Sequence, residues 1–124
     1  MFKLANGWTK AKVLAQVKKF NNGTRAMSNQ VSSNTGKPYC AYQDRDNGNR
    51  CAIGCFIPNT AIGEISDKIL GAWDIVRDNH LQDFMPFEGP NALEAFQKAH
   101  DDCDKMHDGN VYAAIEFFLN TGVE

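Results

Sequence analysis

The sequence predicts a single α+β domain in which about four helices pack around one β-hairpin. A strong turn signal lies between two runs of aromatic and β-branched residues, and apolar residues recur with helical spacing on both sides of those runs. The 124 residues suffice for one hydrophobic core. We therefore expect one globular domain over residues 1–124, with a mobile or functional loop at about residues 22–37.

The hairpin is predicted at residues 39–57. Asn47-Gly48 is the strongest turn signal in the chain, and it separates residues 39–43 from residues 50–57. With these two residues at the centre of the turn, Cys40 lies opposite Cys55, and strand alternation puts one set of side chains on a common face. That set consists of Cys40, Tyr42, Cys51, Ile53 and Cys55.

The helices are predicted from apolar periodicity and from capping residues. Thr9 is a suitable N-cap for the first helix, and Asn91 with Glu94 forms a capping-box-like pair at the start of the third. Asp108, Gly109 and Asn110 end the third helix and cap the fourth. The second helix has a regular apolar stripe and is expected to cover the hairpin. The four predicted helices occupy residues 10–20, about 61–78, 91 to about 106, and 111–121.

The composition is that of an ordinary globular protein, with 43% apolar and 23% charged residues, which argues against a disordered or collagen-like chain. No apolar run approaches the ~18 residues of a membrane span, and the first residues lack the apolar region of a signal peptide. We expect a cytoplasmic protein with free, buried thiols and no contact with membranes.

Charge is distributed unevenly along the chain. Residues 1–50 carry nine Lys and Arg but two Asp, whereas residues 51–124 carry four basic and thirteen acidic residues. We interpret this asymmetry as two halves that pack together and compensate each other. A basic surface for nucleic acid would comprise Lys10, Lys12, Lys18, Lys19, Arg25 and Lys37. An acidic edge for a basic protein would comprise Asp101, Asp102, Asp104 and Asp108.

The net charge of −2 favours a protein or a small molecule as partner over nucleic acid. Aromatic and basic residues do interleave on the predicted hairpin, where they could stack on and neutralise a nucleotide. These candidate binding residues are Tyr42, Arg45 and Arg50, together with Arg25 at the end of the long loop. The favoured alternative is that Tyr42 closes the core while the arginines offset Asp44 and Asp46.

The candidate reactive residues are histidine and cysteine. His100, Cys103 and His107 have a spacing that places them on one side of a helix, where Cys40, Cys51 and Cys55 could complete a metal site. A thiolate at Cys51 or Cys55 beside His100 would be a nucleophile. Buried free thiols without metal are the favoured interpretation. No Walker A or dinucleotide glycine pattern occurs, so we expect no cofactor.

Three segments resemble a known group of proteins. They are CAY at residues 40–42 with Gly48, CAIGCFIP at residues 51–58 and FQKAHD at residues 96–101. The pattern resembles small accessory proteins of tailed phages and prophages, and the similarity spans most of residues 9–121. The resemblance implies a phage or prophage accessory protein and transfers no catalytic residue. It also implies that the CAIG segment can begin a helix, which would shorten the second strand.

Two functions follow as expectations. The first is a phage accessory protein, without enzymatic activity, that binds a host macromolecule or signalling molecule and thereby modulates host processes or defence. The second is a small metal- or thiol-dependent enzyme centred on His100 and the cysteines of the hairpin. The absence of a strong catalytic motif in the sequence favours the first.

Overall fold

The computed structural model describes residues 1–31, 38–66 and 71–124, and its description of residues 28–31 and 38–40 is limited to the backbone. Within these ranges the fold is mainly helical. Its elements are α1 (Lys10–Phe20), β1 (Met27–Val31), β2 (Pro38–Cys40), α2 (Asn59–Ile65), α3 (Ala72–Asp78), α4 (Pro90–Asp101), α5 (Cys103–Met106) and α6 (Val111–Gly122). Two short 3₁₀ helices, Ile53–Phe56 and Gln82–Phe84, complete the list.

The predicted α+β class and its hairpin are wrong. The turn forms, with Gly48 at a positive φ of 76°, but over residues 38–57 a single antiparallel bridge, Gln43 with Arg50, joins its two sides. Residues beyond Arg50 then curl into the 3₁₀ helix instead of continuing as a strand. The prediction that Cys40 lies opposite Cys55 across a hairpin is therefore also wrong.

Close packing of the backbone explains why the second strand is lost. All residues from Cys51 to Ile57 are buried, whereas a strand with one covered face would bury every second residue. A Cβ atom at Gly54 would lie 2.1 Å from the Tyr42 carbonyl oxygen, so only glycine permits this approach of two backbone segments. Cys55 N donates to the Cys51 carbonyl at 3.0 Å, which closes the helical turn.

The short strands lie outside the predicted hairpin. β1 pairs with β2 in an antiparallel register that sets Met27 opposite Cys40 and Val31 opposite Pro38, with an irregularity between the two pairs. The strand β1 falls inside the segment predicted to be a loop at residues 22–37, so that prediction is wrong for residues 27–31. Residues 32–37 of the same prediction lie outside the described residues.

The first and last predicted helices are confirmed. Thr9 caps α1, because its Oγ1 accepts the Lys12 backbone N–H at 3.1 Å. Asn110 caps α6 in the same way through the Ala113 N–H, also at 3.1 Å. In both cases a polar cap stands directly before an amphipathic segment, and this local signal is sufficient to place the start of the helix.

The second and third predicted helices are partly wrong. A continuous helix over residues 61–78 is not formed: α2 ends at Ile65, and Gly71 has extended backbone just before α3. Glu94 does not form the predicted capping box, since its Oε1 accepts the Trp73 N–H of α3 at 2.9 Å, and Gly89 with Pro90 begins α4 instead. The predicted third helix is interrupted at Asp102, where α5 follows.

Aromatic rings join the elements in the core. Phe96 of α4 is fully buried, and its ring centroid lies 5.1 Å from that of Phe87, 5.7 Å from that of Phe56 and 6.0 Å from that of Phe118. Such tilted and edge-to-face pairs add to the free energy gained by burying apolar area. The N-terminal segment closes this core, because Phe2 and Ala5 bond to the carbonyls of Gly122 and Pro86.

Candidate functional site

His100, the main candidate for chemistry, is fully buried and joins α4 to the chain before β1. Its Nε2 lies 3.1 Å from the Ala26 backbone nitrogen, and its Nδ1 lies 2.8 Å from Asp101 Oδ1. A backbone N–H can only donate, so Nε2 is the acceptor and Nδ1 carries the proton that is donated to Asp101. Both ring nitrogens are thus engaged within the protein, and neither faces a substrate.

Gln97 extends this polar interior to the 3₁₀ helix. Its Nε2 donates to Asp101 Oδ1 at 3.0 Å, and its Oε1 accepts the Ile53 N–H at 3.0 Å. Gln97 therefore satisfies the first backbone N–H of the 3₁₀ helix. It also orients the Asp101 carboxylate, which in turn orients His100. Sequence reasoning missed Gln97, although its position one helical turn before Asp101 was a usable signal.

The described thiols are protonated groups of the interior. Cys51, Cys55 and Cys103 are free and buried. Burial raises the pKa of Cys55 to about 12, and it also raises the pKa values of Cys51 and Cys103. Because the nucleophile and metal ligand is the thiolate, these environments disfavour both chemistries at neutral pH. The side chain of Cys40 lies outside the described residues.

The predicted metal ligands do not come together in the part of the chain that the structure describes. No group of three or more His, Cys, Asp or Glu side chains there is placed to hold a metal ion. His107 packs its ring against Phe117 at a centroid distance of 5.3 Å, whereas His100 is occupied in the interior. His100 and Cys103 lie in different helices, because α4 ends at Asp101 and α5 begins at Cys103.

The four predicted binding residues do not share a surface. Tyr42 is buried, and Arg50 is 6% exposed with its guanidinium over the Phe20 ring, 4.5 Å from the centroid. Arg50 also donates to the Ile57 carbonyl and to Asn59 Oδ1, and burial lowers its pKa. Arg25 donates to a carboxylate of α5, whereas Arg45 is exposed and donates to the Gly63 carbonyl of α2.

The predicted acidic edge is partly compensated within the protein. Asp102 lies 2.8 Å from Lys98 Nζ and 3.6 Å from Lys105 Nζ, and the hydrogen bond from Lys98 lowers the pKa of Asp102. Asp104 pairs with Arg25 at 2.6 Å, so this contact joins the basic and acidic halves of the chain. Asp101 accepts hydrogen bonds from Gln97 and His100, and Asp108 is exposed, so two of the four carboxylates of this edge are compensated by lysine or arginine.

A pocket that the sequence did not suggest lies on another face. It has a volume of about 370 Å³ and is formed by the N-terminal segment, the start of α3, the turns after α3 and the start of α4. Trp8 and Trp73 line its walls, and Met85, Phe87 and Leu93 supply buried apolar surface. We call this the tryptophan pocket. The sequence placed Trp8 next to a helix cap and Trp73 on an apolar stripe, and neither pattern indicates a shared cavity.

The free polar groups of the tryptophan pocket are at its rim. Asp83 and Glu88 are exposed, and neither carboxylate forms an ion pair with any residue that the structure describes. The side chains of Trp8 and Trp73 are half-buried in the pocket wall. No Lys or Arg lines the pocket, so its rim is negative while its walls are aromatic. Such a cavity suits a cation with an apolar stem.

No protein-family model, curated protein or solved structure matches this chain. Among the described residues, no helix combines the length and the apolar character needed to cross a lipid bilayer.

Proposed function

We propose that this protein is a phage accessory protein that acts in the host cytoplasm by binding a host protein rather than by catalysis. The observation that carries the proposal is the tryptophan pocket, in which aromatic walls and two unpaired carboxylates stand open to solvent. The resemblance of the CAY and CAIGCFIP segments to phage and prophage accessory proteins supports the phage origin. The buried, fully bonded His100 and the protonated thiols give no support to an enzyme.

The partner is a host protein that presents a basic residue. A lysine or arginine side chain has an apolar stem for the indole faces and a cationic end for Asp83 and Glu88. Aromatic side chains and fully desolvated charge pairs are the usual sources of binding energy at protein interfaces. The predicted acidic edge is the weaker candidate because two of its four carboxylates, Asp102 and Asp104, already have cationic partners.

Affinity capture from host lysate tests this proposal when it compares matched variants. Glu88→Lys reverses a charge at the pocket, and Glu116→Lys makes the same change on an exposed part of α6 outside it. We expect wild type and Glu116→Lys to retain the same protein and Glu88→Lys to lose it. Equal capture by all three would contradict the assignment of the pocket.

Tryptophan fluorescence then locates the contact. The chain has two tryptophans, and both line the pocket, so the emission spectrum reports on this cavity without a label. Titration with the purified captured protein is expected to shift the emission of wild type and of Glu116→Lys. Binding that leaves the emission unchanged would place the partner elsewhere on the molecule.

A further inference from the structure

A second groove, distinct from the tryptophan pocket, lies at the end of α1. It is an open groove with a volume of about 360 Å³, lined by the last turn of α1, the loop at residues 47–49 and Tyr112 of α6. This volume lies in the range of small-molecule sites. Its two charged residues are Lys18 and Lys19, both exposed, and no carboxylate lines it.

The lysines are not neutralised by the protein. Neither forms an ion pair with a residue in the described ranges; instead Lys18 Nζ lies 5.7 Å from the centroid of the Tyr112 ring, and Lys19 Nζ lies 5.3 Å from that of Phe20. These aromatic contacts hold the ammonium groups near the groove and leave their charge uncompensated. Asp44, on the neighbouring loop, lines a separate cavity with Arg45.

Two asparagines add oriented donors. Asn22 Oδ1 accepts the Thr24 N–H at 3.1 Å, and Asn47 Oδ1 accepts the Asn49 N–H at 2.8 Å. Since a backbone N–H can only donate, each amide oxygen must face it, and each Nδ2 is directed away. These Nδ2 groups have no partner among the described residues. The free side-chain nitrogens of the groove are therefore all hydrogen-bond donors.

The floor of the groove is rigid and already formed. Asn21 is buried and donates from Nδ2 to the carbonyls of Thr24 and Arg50, at 3.0 and 2.6 Å. Asn49 is also buried; it donates to the Thr24 carbonyl at 2.9 Å and accepts the Asn22 N–H at 2.8 Å. Tyr112 donates to the Asn21 carbonyl, which fixes its ring at the wall. Because this floor and wall are already ordered, they need little rearrangement when a ligand binds.

From this geometry we propose that the groove binds the phosphate group of a small nucleotide. Two ammonium groups match a dianionic phosphate, and the asparagine amides donate to its remaining oxygens. When Lys18 turns from the Tyr112 ring to the phosphate, the ring becomes an aromatic wall for a base. A small ligand fits better than a long nucleic acid, because the protein carries a net charge of −2 and the acidic residues Asp44 and Asp46 come directly before residues 47–49 of the groove. The proposal does not depend on the tryptophan pocket.

Calorimetric titration with ATP, inorganic phosphate, adenosine and a dT20 oligonucleotide tests this inference. We expect ATP to bind, phosphate to bind more weakly and adenosine alone not to bind. Replacing both lysines, Lys18→Gln with Lys19→Gln, is expected to weaken ATP binding roughly tenfold or more, because charge-assisted hydrogen bonds are lost. Absence of ATP binding at millimolar concentration would overturn the proposal.

Two single variants make the test specific. Asn47→Asp keeps the oxygen that accepts the Asn49 N–H but replaces the free donor by an acceptor, so we expect weaker ATP binding with an unchanged unfolding midpoint. Lys12→Gln removes an exposed lysine of α1 outside the groove and is expected to bind ATP as wild type does. ATP binding unaffected by the groove variants, or tighter binding of dT20 that is lost in Lys12→Gln, would refute a nucleotide site.

Discussion

The interior around His100 and the tryptophan pocket differ in what their polar groups contact. In the interior, His100, Gln97 and Asp101 bond to one another and to backbone N–H groups of Ala26 and Ile53. At the pocket, the exposed carboxylates of Asp83 and Glu88 form no ion pair in the described parts of the chain. Histidine, a residue type that is often reactive, thus stabilises the fold here, whereas the tryptophans and carboxylates of the pocket are available to a ligand.

This difference can be tested by substitution, since changes in the interior should alter stability and changes at the pocket should alter binding. The largest effect is expected for Gly54→Ala. The new Cβ would meet the Tyr42 carbonyl oxygen at 2.1 Å, so the backbone must shift. We expect a loss of about 3 kcal/mol or more in the free energy of unfolding, measured by urea denaturation.

Gly63→Ala is the control for that substitution, because a Cβ at Gly63 meets nothing within 4 Å and the residue lies within α2. It should be neutral or slightly stabilising, by up to ~1 kcal/mol. A Gly54→Ala variant as stable as the control would mean that the backbone approach does not constrain this position.

His100→Ala is expected to be the next most damaging change. It leaves a cavity in the interior and removes the acceptor of the Ala26 N–H, which together should cost about 2–4 kcal/mol. His100→Gln can place an oxygen near the position of Nε2 and should recover part of this loss. If the two variants unfolded at the same urea concentration, the hydrogen bond to Ala26 would contribute little.

Alkaline pH should weaken the fold through its thiols. The folded pKa of Cys55 is raised to about 12, above the unfolded value of about 8.5, so its contribution is fully present below pH 8.5 and is lost as pH rises through about 12. Between pH 7 and pH 10 we expect a loss of about 1–2 kcal/mol from this group. Urea denaturation of wild type and Cys55→Ala at several pH values measures it. An equal slope in both proteins would assign the alkaline loss to other groups.

The smallest effect on stability is expected at the rim of the pocket. Asp83→Asn and Glu88→Gln affect exposed side chains without ion-pair partners in the described residues, so the free energy of unfolding should change by less than about 0.5 kcal/mol. Binding of a basic partner should nevertheless weaken, mainly through slower association. Stopped-flow tryptophan fluorescence measures this rate, and an unchanged rate would leave the rim without a role in recognition.

The helix ends show which features of the fold can be predicted from local sequence patterns. Thr9 and Asn110 were predicted as caps and are confirmed, because a cap needs only the backbone N–H groups three residues ahead. Asn91 and Glu94 also form a local capping pattern, but Glu94 accepts the Trp73 N–H of another helix, which no local rule anticipates. At Gly54 the favourable strand pattern is overridden by close contact with Tyr42. Helix ends that depend only on neighbouring residues could thus be predicted, whereas the loss of the hairpin could not.

The candidate sites show the same division. By itself the sequence determined which residues are polar enough to do chemistry, the spacing of His100 from its helical neighbours, and the two caps that begin α1 and α6. The tertiary structure alone decided that His100 is engaged on both ring nitrogens and that Arg50 is buried. It also brought together Trp8 and Trp73, which are 65 residues apart in the chain. The physical reason is that burial and hydrogen-bond partners depend on segments distant in sequence, and these set whether a polar group is free to bind.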